Sequence, residues 1–301
     1  PLGKVVYTGL FNRRGTFESD LAAVRTGREE FYLISGTSQT VRDLDWIRRN
    51  TAPDERVAVV DVTESQAVIG VMGPFARALL SRVSDADFSN KAFPFGTAQT
   101  VSIGTATVRA IRLTYVGELG WELHIPVSQA GMVYDILWTA GREFDAANAG
   151  HYAINSLRLE KGFRAWGADI SPDDTALEAG LGFALGWKKP MPFLGREALM
   201  HQKETGLRRQ LVTFVLLDPE PVLWGSEPIL RNGEPVGYTT SGSYGHTLGA
   251  AVGMGYVKNP HWVTPEYIMT GQYEINVSGK LVAATPYLKA PYDPERKRIL
   301  G

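Results

Sequence analysis

Residues 111–123, IRLTYVGELGWEL, decide the reading of this chain. Ile111, Leu113 and Tyr115 alternate, the pattern breaks at Gly117, and it resumes over Trp121, Glu122, Leu123, His124 and Ile125. Such alternation reads as half-buried strand, and Gly117 with Gly120 permits a tight reversal, so two strands with acids at the foot of their turn are expected. A strand end of this kind can grip a flat, hydrogen-bonding ring. Tyr115 offers an aromatic edge or face, and the Glu122 carboxylate can accept two parallel N–H donors, as from an aminopyrimidine. A hairpin whose Glu118 and Glu122 simply face water is the plainer alternative, and these residues alone leave both readings open.

Outward from that hairpin, residues 57–62 and 67–72 read as strands, and Gly73-Pro74 opens a helix running through Leu80. Strands are expected at 98–103 and 105–114, joined at Gly104, and helices at 128–144 and 152–164. Towards the N-terminus, 4–11 and 17–25 read as strands around the polar connection Asn12-Arg13-Arg14-Gly15, followed by the short buried strand FYLIS, 31–35. Residues 37–50 read as a helix that Thr37 or Ser38 can cap, with Val41, Leu44 and Ile47 at helical spacing. From 208 the chain becomes a series of glycine-punctuated strands with Asn232-Gly233 and Ser278-Gly279 in hairpin positions, which predicts a small β-barrel. The whole reads as an α+β protein with antiparallel sheets followed by a small C-terminal β-barrel. The expected divisions are 1–56, 57–205, 206–291 and a tail at 292–301, whose Arg296-Lys297-Arg298 run is read as solvated.

Composition narrows the function. The 301 residues are 44% hydrophobic and 21% charged with a formal net charge of −1, which argues against a nucleic-acid surface. There is no cysteine, which excludes a disulfide framework, a thiolate metal site and a cysteine nucleophile. The five histidines (124, 151, 201, 246 and 261) share no metal-ligand spacing. No apolar run approaches the roughly 20 residues that span a bilayer. No GxGxxG follows a strand, and GYTTSGSYG does not fit a GxSxG elbow. The opening PLGKVVYTGLF reads as a strand entered mid-stream, so the chain is expected to be a piece of something longer.

Further candidates lie elsewhere in the chain. Asp20, in GTFESDLAAVR, is a carboxylate on a strand with apolar neighbours Phe17 and Leu21, a costly placement that suits either a functional acid or an edge residue paired with Arg25 or Arg13. Phe31 and Ile34 could line one wall of a flat pocket, and core packing explains them equally well. Arg158 and Glu160 sit on a helix whose inner face is expected to carry Ile154 and Leu157, with a structural ion pair as their default role.

Taken in order, NRRGTFESDLAAVR, YVGELGWELHIP, YAINSLRLEKGFRAWGADISPDDTALEAGLGF, FLGREAL and GYTTSGSYG resemble the aminomethyltransferase fold family, whose type member is the glycine-cleavage T-protein. LRLEKGFRAWG and TTSGSYG look most like the C-terminal folate half of dimethylglycine and sarcosine dehydrogenases. The resemblance spans nearly all of residues 5–290. It implies a tetrahydrofolate site in which Asp20 matches the acid near the reactive folate nitrogens. In the same way Phe31 and Ile34 match the apolar walls of the pterin slot, Tyr115 the tyrosine beside the folate, and Glu122 the acid on the pterin edge. The T-protein arginine ahead of SLRLE is replaced here by Ile154, which agrees with the dehydrogenase branch.

The resemblance further implies a one-carbon acceptor that forms 5,10-methylenetetrahydrofolate. FAD would belong to a flavin domain upstream or to a companion chain. No metal, nucleic acid or membrane partner is implied, and the location is cytoplasmic, or the mitochondrial matrix in a eukaryote. A stand-alone folate-dependent demethylase is the alternative. A folate-binding helper of iron–sulfur assembly is a remote one, because that class carries a KGCYxGQE-like cysteine motif where this chain has KGFRAWGAD.

Overall fold

The computed structural model describes residues 1–301, and the chain divides into two compact units. The first holds Pro1–Tyr7, Ala22–Gly150 and Glu295–Gly301; the second holds Thr8–Leu21 and His151–Pro294. Strands β1 (Val5–Phe11) and β2 (Phe17–Arg25) pass from one to the other, and with β3 (Phe31–Ser35) they form a three-stranded sheet.

In the first unit, α1 (Thr40–Arg49) precedes a four-stranded antiparallel sheet with two covering helices. The sheet runs in the order β4-β7-β6-β5, from β4 (Gln66–Met72), β5 (Thr97–Ile103), β6 (Ala106–Arg112) and β7 (Gly120–Pro126); the helices are α2 (Ala76–Val83) and α3 (Ala130–Gly141). Period-two alternation assigns the faces. Trp121, Leu123 and Ile125 of β7 and Ala106, Val108 and Ala110 of β6 are fully buried, packed with Leu79 and Leu80 of α2 and Val133 of α3. Burying each large side chain contributes about 2 kcal/mol. A one-residue slip of β7 would drive Glu122 and His124 into that core, so the register is firmly specified.

The predicted reversal is looser than a hairpin. β6 ends at Arg112 and β7 begins at Gly120, leaving 113–119 as an open loop. Gly117 does take a positive φ of 80°, whereas Gly120 serves close approach: a Cβ there would lie 2.0 Å from Met72 Sδ and 2.9 Å from the Val71 carbonyl oxygen.

The second unit contains α4 (His151–Glu160), α5 (Arg196–Thr205) and strands β8 (Arg209–Leu216), β9 (Pro228–Arg231), β10 (Glu234–Gly245) and β11 (Ala250–Lys258). After α6 (Pro265–Met269), β12 (Tyr273–Val277) and β13 (Lys280–Tyr287) complete a closed barrel in the order β10-β11-β8-β13-β12-β9. Asn232-Gly233 and Ser278-Gly279 turn two of its hairpins with φ of 52° and 84°, and 50° and 91°, as expected of type I′ turns. The fold is therefore α+β with antiparallel sheets and a C-terminal barrel.

Several local expectations need correction. Residues 57–62 form no strand: Val57, Val60 and Val62 are exposed and their backbone joins no ladder, without which a valine-rich run cannot hold a strand. No side chain caps α1, which is preceded by a 3₁₀ turn at Thr37–Gln39, and Val41 is exposed. Helix α4 stops at Glu160, and its buried residues are Ser156, Arg158, Leu159 and Glu160, while Ile154 and Leu157 are only half-buried. The basic run Arg296-Lys297-Arg298 is exposed, as expected, but the tail end is docked: α7 (Lys297–Leu300) buries Ile299, and the Leu300 carbonyl accepts from the buried Arg112 guanidinium at 2.8 Å. No helix is long and apolar enough to cross a membrane.

Candidate functional site

The face of the four-stranded sheet opposite α2 and α3 carries the polar side chains of β7. Glu122 and His124, two residues apart, share it, and their ladder partners complete the layer. Ile111 of β6 and Gly70 of β4 flank Glu122; Arg109 of β6 and Val68 of β4 flank His124. On the β4 side this face is open. Val68 and Gly70 are exposed, and a Cβ on Gly70 would meet only the Met72 side chain, at 3.6 Å. Glu122 thus borders open ground while keeping only 21% of its side chain exposed.

Behind Glu122 is a buried polar chain. The His124 ring is 1% exposed, its Nδ1 lies 3.0 Å from the Tyr32 hydroxyl, and its Nε2 lies 3.6 Å from Glu122 Oε2. That last separation is within ion-pair range but beyond a hydrogen bond, and Nε2 has no hydrogen-bond partner. Tyr32 meets His124 edge-on, with ring centroids 5.4 Å apart, and the Arg109 guanidinium stands 4.4 Å over the Tyr32 ring. Burial pushes the Tyr32 phenol above its ordinary range, against the pull of Arg109 and with a further push from Glu122.

The predicted site residues fall unevenly around this layer. Ile34 shares the side of β3 that carries Tyr32 and packs in a core cluster with Val5, Val24, Ile111 and Leu113. Phe31 lies on the other side of the strand and is 60% exposed, because neighbours an odd number apart face oppositely. The two therefore do not form one wall. Tyr115 sits in the loop after β6 and is 38% exposed. Glu118, like Glu122, is half-buried, so the hairpin does not simply present its acids to water.

Asp20 is half-buried on the stretch of β2 that belongs to the second unit. Its suggested partner Arg25 donates instead to the carbonyls of Gly27 and Arg28. Tyr32, Arg109 and His124 were not anticipated as site residues. A signal for His124 was present, since in WELHI the same alternation that buries Trp121, Leu123 and Ile125 puts Glu122 and His124 on one face.

With that geometry in place, the kinship of the chain is readable. Residues 1–189 match the GCVT N-terminal domain, and residues 209–293 match the glycine cleavage T-protein C-terminal barrel domain. The chain belongs to the glycine cleavage T-protein family. It is 40% identical over 319 aligned residues to the mitochondrial sarcosine dehydrogenase of Homo sapiens, a match that covers 100% of this chain and 34% of that protein. An aminomethyltransferase of Listeria monocytogenes serotype 4a (strain HCC23) is 31% identical over 288 residues, covering 96% of this chain and 77% of that protein. The fold is that of the glycine cleavage system aminomethyltransferase T from Bartonella henselae, which superposes with a TM-score of 0.83 at 23% identity over 98% of this chain and 78% of that one. The chain spans about a third of the length of the sarcosine dehydrogenase it matches.

Members of the T-protein family are thus found here at two scales, as a whole aminomethyltransferase and as one part of a longer dehydrogenase. The open sheet face offers this family member a carboxylate acceptor beside unfilled space, backed by buried polar groups. That donor and acceptor set fits a flat ring edge bearing paired N–H groups.

Proposed function

We propose that this chain is the tetrahydrofolate-binding, one-carbon-accepting part of a dimethylglycine/sarcosine dehydrogenase-like enzyme, forming 5,10-methylenetetrahydrofolate from an N-methyl-derived iminium or formaldehyde. The observation that carries the reading is the Glu122 carboxylate, half-buried on an open sheet face next to the bare backbone of Gly70. Amine oxidation belongs, in this proposal, to a flavin domain or companion chain outside these residues. The 40% identity to sarcosine dehydrogenase across the whole chain favours it over an unrelated use of the fold.

Tetrahydrofolate, when bound, supplies the nucleophilic nitrogen that captures the one-carbon unit. The residues of this chain do the positioning. Glu122 would hold the pterin edge by accepting its paired N–H groups. Tyr115 and the exposed ring of Phe31 offer aromatic surface, and Ile34, seated in the core cluster, supports the layer from which Glu122 projects. For Asp20 the proposal rests on the family resemblance: it is the acid that orients the reacting nitrogen and holds or relays its proton.

Isothermal titration of the 301-residue chain with tetrahydrofolate tests this. Saturable binding is expected, weakened about tenfold (about 1.4 kcal/mol) in Glu122→Gln, as when a charged acceptor of N–H donors is removed. Unchanged affinity in that variant would sink Glu122 as the anchor. Asp20→Ala should keep the affinity while lowering the yield of methylenetetrahydrofolate in a flavin-bearing full-length protein, with formaldehyde released instead.

A second reading, a stand-alone aminomethyltransferase, is favoured by the 77% of the Listeria protein that the chain covers. Absence of a flavin absorbance band from the intact natural protein would select it.

A further inference from the structure

His124 is buried, and its surroundings leave one proton unplaced. Tyr32 on β3 reaches Nδ1 at 3.0 Å, Arg109 on β6 stands over the Tyr32 ring, and β4 contributes only the apolar Val68 as the ladder partner of His124. The one charged group facing Nε2 among these elements is the Glu122 carboxylate at 3.6 Å. Burial keeps the Tyr32 phenol protonated well beyond neutrality, and the neighbouring guanidinium polarises its O–H towards donation. A donating hydroxyl requires a lone pair on Nδ1, which leaves the ring proton on Nε2 and aims an N–H at Glu122. The opposite tautomer would face a carboxylate with a lone pair and leave both acceptors unsatisfied.

A plain core histidine would have its second nitrogen paired with backbone or facing apolar groups, since an orphaned buried N–H costs about 1–3 kcal/mol. Here Nε2 has no hydrogen bond and stands just short of one with the carboxylate assigned to the ligand. We propose that His124, locked by Tyr32 in its Nε2–H tautomer, is the positioning residue for Glu122, tethering one carboxylate oxygen so that the acid is held in a single rotation for the pterin edge. This inference rests on the reading of Glu122 as the folate anchor. It adds a role for two residues, Tyr32 and His124, that the ligand need not touch.

Two measurements test it, one of them independent of folate. Imidazole ¹⁵N spectra of the ligand-free chain at neutral pH should show His124 protonated at Nε2 and bare at Nδ1, and this signal should shift in both Glu122→Gln and Tyr32→Phe. A ring protonated at Nδ1, or a signal indifferent to both substitutions, overturns the proposal. In tetrahydrofolate titrations, His124→Phe should raise the Kd several-fold, as for a carboxylate that loses the N–H it faces, while His124→Gln, whose amide can donate from nearly the same place, should recover most of it. Equal affinities for the Phe and Gln variants would mean that the ring only fills space, and that also overturns it.

Should His124→Phe not fold, Tyr32→Phe decides. An unchanged Kd together with an unchanged Nε2–H signal counts against the dyad, and a several-fold rise in Kd with tautomer mixing supports it. If Glu122→Gln leaves tetrahydrofolate affinity intact, the folate reading fails, yet the ¹⁵N spectra still report whether His124 serves Glu122.

Discussion

Two buried polar clusters, one in each unit, treat their hydrogen-bonding capacity differently. In the barrel unit, Arg158 donates to Asn155, the Phe163 carbonyl, Asp169 and Ser241. Asp169 in turn accepts from Arg158, the Ala165 N–H and Thr240, and its own carbonyl accepts from Tyr256. Both oxygens of that carboxylate and every arm of that guanidinium are occupied, and both residues are buried. On the sheet face of the first unit, Nε2 of His124 is unbonded and Glu122 borders open ground. A closed network rigidifies a core, whereas a partly satisfied one is costly unless something else completes it. The difference separates charge used for architecture from charge that, on the proposed reading, is kept for a ligand.

The largest expected effect breaks the closed cluster. Arg158→Met should strand the buried Asp169 carboxylate and lower stability by about 3–5 kcal/mol in urea unfolding. A loss below about 1 kcal/mol would mean that the network is not structural. The open cluster should respond in the opposite sense. Glu122→Gln is expected to leave the unfolding free energy within about 0.5 kcal/mol of the parent while weakening tetrahydrofolate about tenfold. Equal losses of stability and binding would erase the distinction between the clusters.

A subtler probe fills the space instead of removing the charge. Gly70→Val adds side chain where only Met72 is near, so stability should hold or rise by a few tenths of a kcal/mol on strand propensity. Tetrahydrofolate affinity should fall several-fold if the ring lies over β4 beside Glu122; full affinity would move the ring elsewhere.

The smallest effect is alkaline. Burial pushes the phenols of both Tyr32 and Tyr256 up from the ordinary tyrosine range. A raised folded value means that the stabilisation is complete below about pH 10 and is lost as pH rises through the folded values. Absorbance at about 295 nm should therefore show these two tyrosines, and Tyr273, whose phenol burial also pushes up, ionising late, and Tyr32→Phe should remove one of the three. Early ionisation of Tyr32 would mean that the sheet face is wetter than its burial implies.

Much of the fold was legible beforehand. The hairpin dipeptides Asn232-Gly233 and Ser278-Gly279 marked the barrel, because residues that must adopt positive φ in tight turns are few. The face on which Glu122 emerges, away from the helix-covered core, was legible from the same alternation that buried Trp121 and Leu123. Residues 57–62 misled, since their valine-rich run suits a strand but no neighbouring strand receives them. The tail was legible only in part: its basic run is exposed as read, but Ile299 finds a core and the Leu300 carbonyl finds Arg112, a partner that residue composition does not announce.

What the sequence determined by itself is whatever a single element contains. That covers the period of β6 and β7, the face on which Glu122 and His124 emerge, the positions of the turns, and the absence of cysteine chemistry. Only the tertiary structure decided who meets whom. Tyr32 reaches His124 across 92 residues, and Arg158 pairs with Asp169 and Ser241 in preference to Glu160, which instead accepts from the backbone of Thr247 and Leu248. Phe31 and Ile34 part to opposite sides of β3. Periodicity is a property of one strand and can be read locally. The partner of a side chain depends on which elements pack together, and that is settled by the joint burial of many faces at once.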